Sequence, residues 1–216
     1  MNAEHILALL KFGNKDNLSD LLENGTIHMN SIQYFRNIED SNLRGDAYEG
    51  VTQIINSWPG HFDINGVPIN YLSVHVPQSY NTVYGNIYSL YCISSHGFAS
   101  PKDFNIDKRV QEFGSHLLII SPGEFLKKIK NVLDFIGLIH HNGFVDYYDR
   151  NAINSKISLF QKPNEYEYQK EFRIYVERKA ITPLVFKIGS IKEFAELHPV
   201  EAIDKIELKK RFLFSA

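Results

Sequence analysis

Apolar residues recur along the chain with two different periods, and the changes of period predict its elements. Ile6 to Phe12 is a nearly continuous apolar run that reads as a first strand. From Asn14 to Glu23 the leucines Leu18, Leu21 and Leu22 fall at helical spacing, and Gly25 supplies a stop. Thr26 to Ser31 alternates Ile27 and Met29 against His28 and Asn30, the period of a half-buried strand. Ile32 to Glu49 has mixed polarity and is expected to pack a short helix and a loop over the end of that strand. Between Val51 and Tyr88, short alternating stretches are separated by Trp58-Pro59-Gly60, Asn65-Gly66 and Val76-Pro77, which predicts antiparallel strands with the best hairpin turn at Asn65-Gly66.

The second half continues in the same manner. Ile87 to Ser94 and Leu117 to Ile120 are apolar strands. Ser121-Pro122-Gly123-Glu124 has the cap, first-turn proline and third-position glutamate of a helix start, with Phe125, Ile129, Val132, Leu133 and Ile136 as its buried stripe. Gly143 to Tyr148, Gln169 to Val176 and Leu184 to Ile188 read as further strands. Ser190 with Glu193 repeats the capping box, so Ser190 to Leu197 is expected to be a helix closing at His198-Pro199, and Ile203 to Phe214 a last strand. About eight or more strands and three or four helices, in no regular alternation, argue for an α+β fold over a doubly wound parallel sheet.

Composition narrows the class. At 216 residues with 44% hydrophobic content, the chain suits one domain spanning 1–216. A formal charge of −2 gives no general attraction to phosphate backbones or anionic lipid, so any nucleic-acid contact must be local. The single cysteine, Cys92, lies in the run Leu90-Tyr91-Cys92-Ile93 and is expected to be a buried, inert thiol. No basic leader precedes the short apolar patch at the start, and no segment has the length of a membrane span, so a cytoplasmic location without membrane contact is expected.

Several active-site classes lack their signatures: there is no phosphate-binding P-loop, no Gly-x-Gly-x-x-Gly after a strand and no Gly-x-Ser-x-Gly elbow. His140 and His141 are adjacent and diverge on any regular element, and no metal site is legible. The late strand is more informative. Its alternation puts Gln169, Glu171, Arg173 and Tyr175 on one face and Phe172, Ile174 and Val176 on the other. The polar face has two readings: an ordinary Glu171 and Arg173 ion pair on a solvated strand, or a carboxylate placed to hold a sugar hydroxyl and steady a developing positive charge.

Three features occur in order: a first strand ending Leu10-Lys11-Phe12-Gly13, a middle strand ending Ile93-Ser94-Ser95, and the late Gln169-x-Glu171. This order resembles the ADP-ribosyltransferase superfamily. The resemblance implies a split antiparallel β-sandwich with peripheral helices, NAD as substrate, and no metal. It implies Glu171 as the catalytic residue that supports the oxocarbenium-like transition state, and Gln169 as the group orienting the nucleophile. Ser94 and Ser95 would brace the nicotinamide pocket, and Lys11, Phe12, Gly13, Tyr34 and Arg36 would complete the cofactor-binding set. Lys11 departs from the arginine or histidine of many members and meets a phosphate only as a point charge. Arg36 or Arg44 would then supply the missing contact, or pair instead with Glu39, Asp40, Asp46 or Glu49.

A second likeness spans more of the chain: the early Lys11-Phe12 strand, the leucine helix ending near Asn24-Gly25, Asn30-Ser31, Tyr34-Phe35-Arg36, Cys92-Ile93-Ser94, and Lys162-Pro163 through Glu171-Phe172-Arg173. This layout is similar to bacterial and phage-defence proteins, among them the toxin of a toxin-antitoxin-chaperone system. It implies a bacterial toxin or antiviral effector that modifies a macromolecular acceptor, RNA included, with an antitoxin protein as partner. Tyr34, Tyr80, Tyr84, Tyr147 and Tyr148 are the rings able to stack on an unpaired base. Two other readings stay open: a non-catalytic binding or regulatory module that uses Arg36 to Glu49 as a protein contact, and a nuclease built on Asp40, Asp46 and Glu49, which lack diagnostic spacing.

Overall fold

The computed structural model describes residues 5–37, 49–56, 60–71, 75–78, 83–95, 100, 104–153 and 155–208. The chain opens with strand β1 (Ile6–Gly13) and helix α1 (Lys15–Asn24). Asn14 caps the helix by accepting a hydrogen bond from the Asn17 amide at 2.8 Å. Gly25 ends it at φ 65°, and its N–H donates to the Leu21 carbonyl. A Cβ at Gly25 would lie 2.0 Å from the Gly189 carbonyl oxygen, so only glycine fits there.

β2 (Thr26–Ser31) and α2 (Ile32–Asn37) follow, then β3 (Gln53–Asn56), β4 (Gly60–Ile64), β5 (Val67–Tyr71), β6 (His75–Gln78) and β7 (Asn86–Ser94). β4 and β5 form the expected hairpin, with Asn65 at φ 52° and Gly66 at φ 79°. Next come β8 (His116–Ile120), α3 (Pro122–Phe135), β9 (His140–Phe144), β10 (Asp146–Tyr148), β11 (Ser155–Lys156) and β12 (Gln161–Pro163). β13 (Glu171–Val176), β14 (Leu184–Lys187) and β15 (Ala195–Pro199) complete the strands. Short 3-10 turns occupy Lys108–Phe113, Asn164–Gln169 and Val200–Lys205. The fold is α+β, with a mostly antiparallel open sheet and few helices.

β7 is the centre of the eight-stranded sheet, and its pairing explains where a cavity forms. β13 covers one edge of β7 from Tyr91 down to Asn86. The other edge is shared: β1 pairs with its far half, Leu10 opposite Tyr91, and β2 pairs with its near end, Asn30 opposite Ile87. Tyr88, Ser89 and Leu90 therefore have no strand partner on that edge, and the sheet is split between β1 and β2. The end of β1, Lys11 to Gly13, turns away and pairs only with β8.

Alternation along β7 and β13 sorts the side chains. Tyr88, Leu90 and Cys92 join Phe172, Ile174 and Val176 in the main core, beneath Leu18 and Leu21 of α1 and Phe125, Ile129 and Leu133 of α3. On the opposite face one cluster gathers Leu10, Tyr91, Val110 and Tyr168, and another gathers Ile32, Ile87 and Tyr175. Ser89, Glu171 and Arg173 fall between those two clusters, on the same face.

The structure corrects three expectations. Ser190 to Leu197 is not a helix: the Ser190 hydroxyl donates to the Leu22 carbonyl, a short turn follows, and Ala195 begins β15 opposite Ile120. A local capping signal is overruled there by pairing with a distant strand. Val200–Lys205 forms a 3-10 turn, so no strand begins at Ile203, and the chain beyond 208 lies outside the described residues. Gln169 ends a 3-10 turn and Lys170 sits at φ 37°, so β13 begins only at Glu171. Smaller differences are the break of Gly143 to Tyr148 into β9 and β10, and Ile136, which is 44% exposed beyond the last buried residue of α3, Leu133. Among the described residues no helix is long and apolar enough to cross a membrane.

Candidate functional site

Glu171 is the first residue of β13 and sits opposite Tyr91 of β7. Its backbone N–H donates to the Tyr147 hydroxyl at 2.9 Å, which anchors the strand start from β10. The carboxylate is 3% exposed and engaged on both oxygens. Oε1 accepts from the Ser89 hydroxyl at 2.6 Å and from Arg173 Nε at 2.7 Å. Oε2 pairs with Lys162 Nζ at 2.7 Å. Glu171 and Arg173 do form an ion pair, but it is buried, not the surface pair of the plainer reading.

Arg173 is held from two sides. Nη1 and Nη2 reach the Glu49 carboxylate at 2.7 and 3.0 Å, Nε and Nη2 reach Glu171, and Nη1 also donates to the Leu159 carbonyl. Two carboxylates, one guanidinium and one ammonium thus form a buried cluster with no net charge, the condition under which buried ions persist. Burial raises the Glu171 carboxyl, but Arg173 and Lys162 together outweigh it and hold the group well below the usual carboxylate range. The cations therefore favour Glu171 as the anion, unfit to donate a proton and fit to act as fixed negative charge.

A cavity of about 870 Å³ occupies the split in the sheet. Its wall draws on both faces, with Tyr88 and Leu90 from one and Ser89, Tyr91 and Glu171 from the other. Among the residues singled out from the sequence, Lys11, Phe12, Gly13, Tyr34, Gln169 and Glu171 meet in this wall. Lys11 reaches into the gap: Nζ donates to the Ser89 carbonyl at 2.8 Å and stands 4.2 Å from the Tyr88 ring centre. Phe12 packs edge-on against Tyr91, with ring centres 6.2 Å apart. Gly13 leads into Asn14, and both line the cavity beside the start of α1, whose positive end together with Lys11 favours an anionic ligand there. Tyr34 is 46% exposed at the wall.

The other candidates lie elsewhere. Ser94 is buried at the far end of β7, and Ser95 accepts the His5 amide through its hydroxyl; neither lines the cavity. Ser94 stands five positions beyond Ser89, roughly 16 Å at the rise of an extended strand. Ser89 is thus the serine that touches Glu171, and Ser94 and Ser95 stand apart from it. Arg36 also stays outside the cavity wall, since Nε donates to the Glu49 carbonyl oxygen and Nη2 is buried against Gly50. Arg44, Glu39, Asp40, Asp46 and Tyr80 lie outside the described residues. Tyr147 is half-buried with its hydroxyl accepting the Glu171 amide, and Tyr148 is buried.

Sequence reasoning missed Ser89, Lys162 and the inward turn of Glu49. The one legible signal was Ser89 itself, a lone polar residue inside an apolar strand directly across from Arg173. Comparison of the chain with protein-family models, curated proteins and solved structures finds no match in any of the three.

Proposed function

We propose that this chain is an NAD-dependent ADP-ribosyltransferase with a single domain of the split antiparallel β-sandwich type. The observation that carries the reading is the ionised Glu171 carboxylate, aimed by Ser89 and bordering a cavity in the sheet split. Its volume lies within the range of small-molecule and cofactor sites. In the proposed reaction the bond between the nicotinamide ring nitrogen and ribose C1′ breaks, and its electron pair leaves with neutral nicotinamide. Positive charge grows on the ribose, where a fixed anion stabilises the transition state more than the ground state. A lone pair of the acceptor then bonds to C1′, and the acceptor's proton passes to solvent.

Lys11 and the start of α1 suit the pyrophosphate, Phe12 and Tyr34 offer aromatic surface, and Gln169 faces the incoming acceptor. The acceptor is proposed as a macromolecule, RNA among the candidates, with the half-exposed Tyr34 ring as the stacking surface. A cytoplasmic toxin or antiviral effector, kept silent by an antitoxin protein, is the setting proposed for such an activity.

A second reading, a non-catalytic binding or regulatory module, is favoured by one observation: both oxygens of Glu171 are already engaged by cations. One experiment separates the two. The purified protein is incubated with labelled NAD and the RNA and protein fractions of a bacterial lysate, and nicotinamide release and label transfer are followed. Glu171→Gln, still folded by circular dichroism, is expected to lose about 100-fold or more of the rate, the scale of removing one electrostatic stabiliser. No nicotinamide release and no NAD binding by the unaltered chain would leave the binding module standing.

A further inference from the structure

Resting on the proposed ADP-ribosyl transfer, we infer that Lys162 is a positioning residue that couples Gln169 to Glu171 and so directs the sugar cation to the acceptor instead of to water. The alternation of a strand does not hold these two side chains together, because Gln169 lies in the turn Asn164–Gln169 and Lys170 breaks the path at φ 37°. The link is a side chain from another element. Lys162 Nζ donates to Gln169 Oε1 at 3.0 Å and pairs with Glu171 Oε2 at 2.7 Å.

Lys162 is built in place. It is 7% exposed, lines the cavity, and sits on β12, which pairs in parallel with β10 so that Tyr147 lies beside it. The two neighbouring strands therefore hold Glu171 twice, Tyr147 taking its backbone N–H and Lys162 its carboxylate. An ammonium only donates, so Gln169 must turn its carbonyl oxygen to Lys162, and the amide cannot flip without losing that bond. Gln169 Nε2 lies on the other side, 3.5 Å from the Tyr168 hydroxyl. The orientation of the amide is thus set by the group that also holds the anion.

Two outcomes compete once nicotinamide has left with the bond's electron pair. The acceptor's lone pair attacks C1′ and gives ADP-ribosylated acceptor and a proton, or water attacks and gives free ADP-ribose and a proton. An oriented Gln169 favours the first. Releasing it is expected to cost transfer more than bond cleavage.

The test compares Lys162→Met, Gln169→Leu and the double variant with the unaltered chain. Nicotinamide release from NAD alone and label transfer to whichever lysate fraction the unaltered chain modifies are both measured. The ratio of transfer to nicotinamide release is expected to fall about tenfold in each single variant and no further in the double, the non-additivity of groups that act as one. The inference is overturned by a wild-type ratio in Lys162→Met, by losses that add, or by a raised KM for NAD at constant ratio, which would make Lys162 a phosphate contact. Should Lys162→Met not fold, Gln169→Leu decides: an unchanged ratio there overturns the inference. Failure of the underlying reading is a different result, an unaltered chain that releases no nicotinamide at all.

Discussion

Arg173 makes five contacts, equal to the number of its guanidinium N–H donors, two to Glu171, two to Glu49 and one to the Leu159 carbonyl. Removing it would take the guanidinium from Glu49 and leave two buried carboxylates with Lys162 as the cluster's remaining cation. Arg173→Met is accordingly expected to lower stability by about 3–5 kcal/mol, read from urea unfolding. Glu171 adds a pH dependence whose sign follows from its depressed carboxyl. An unfolded glutamate titrates near 4.3, so its contribution to stability is complete above about pH 4.3 and is lost as pH falls below that value toward the folded-state position. The urea midpoint is expected to drop between pH 6 and pH 3, and to drop less in Glu171→Gln. Ser89→Ala removes a neutral donor from a charged acceptor, a loss of about 1.5–3 kcal/mol per such bond. Nicotinamide release is expected to slow by roughly tenfold to a hundredfold, with the fold intact.

At the level of elements, strong local periodicity was legible and long-range pairing was not. β1, α1, β2, β7 and α3 lie close to where their apolar spacing places them, because each has a clear period and a local stop such as Gly25 or Pro122. The polar face of β13 was legible for the same reason. Ser190 to Leu197 was misread because a capping box is local, whereas β15 owes its form to β8. The contact of Ser89 with Glu171 was not legible, because no local pattern reveals a partner 82 residues away. The shared edge of β7, which opens the cavity, is likewise a property of three strands together. The junction between α1 and the loop after β14 offers a direct check. Gly25→Ala would drive a Cβ to 2.0 Å from the Gly189 carbonyl in a conformation that L side chains rarely adopt. We expect a loss of more than about 1 kcal/mol in unfolding free energy.

At the scale of the whole molecule, the sheet split couples ligand and stability, because β1, β2 and β7 all contribute to its walls. A ligand that binds only the folded chain stabilises it by mass action, about 2.7 kcal/mol at a hundred times its Kd. NAD is expected to raise the unfolding temperature in a concentration-dependent way, and Lys11→Ala to weaken that rise. Assembly order is a further matter. Glu49 and Arg173 are 124 positions apart, yet each is the other's counter-ion. During translation at about 5–20 residues per second, the first acid leaves the ribosome many seconds before the guanidinium that neutralises it. Until then the cluster does not exist, and neither does the anion geometry at β13. A message cut short before codon 173 therefore yields a product that lacks the charge cluster, however much of its amino-terminal half has folded.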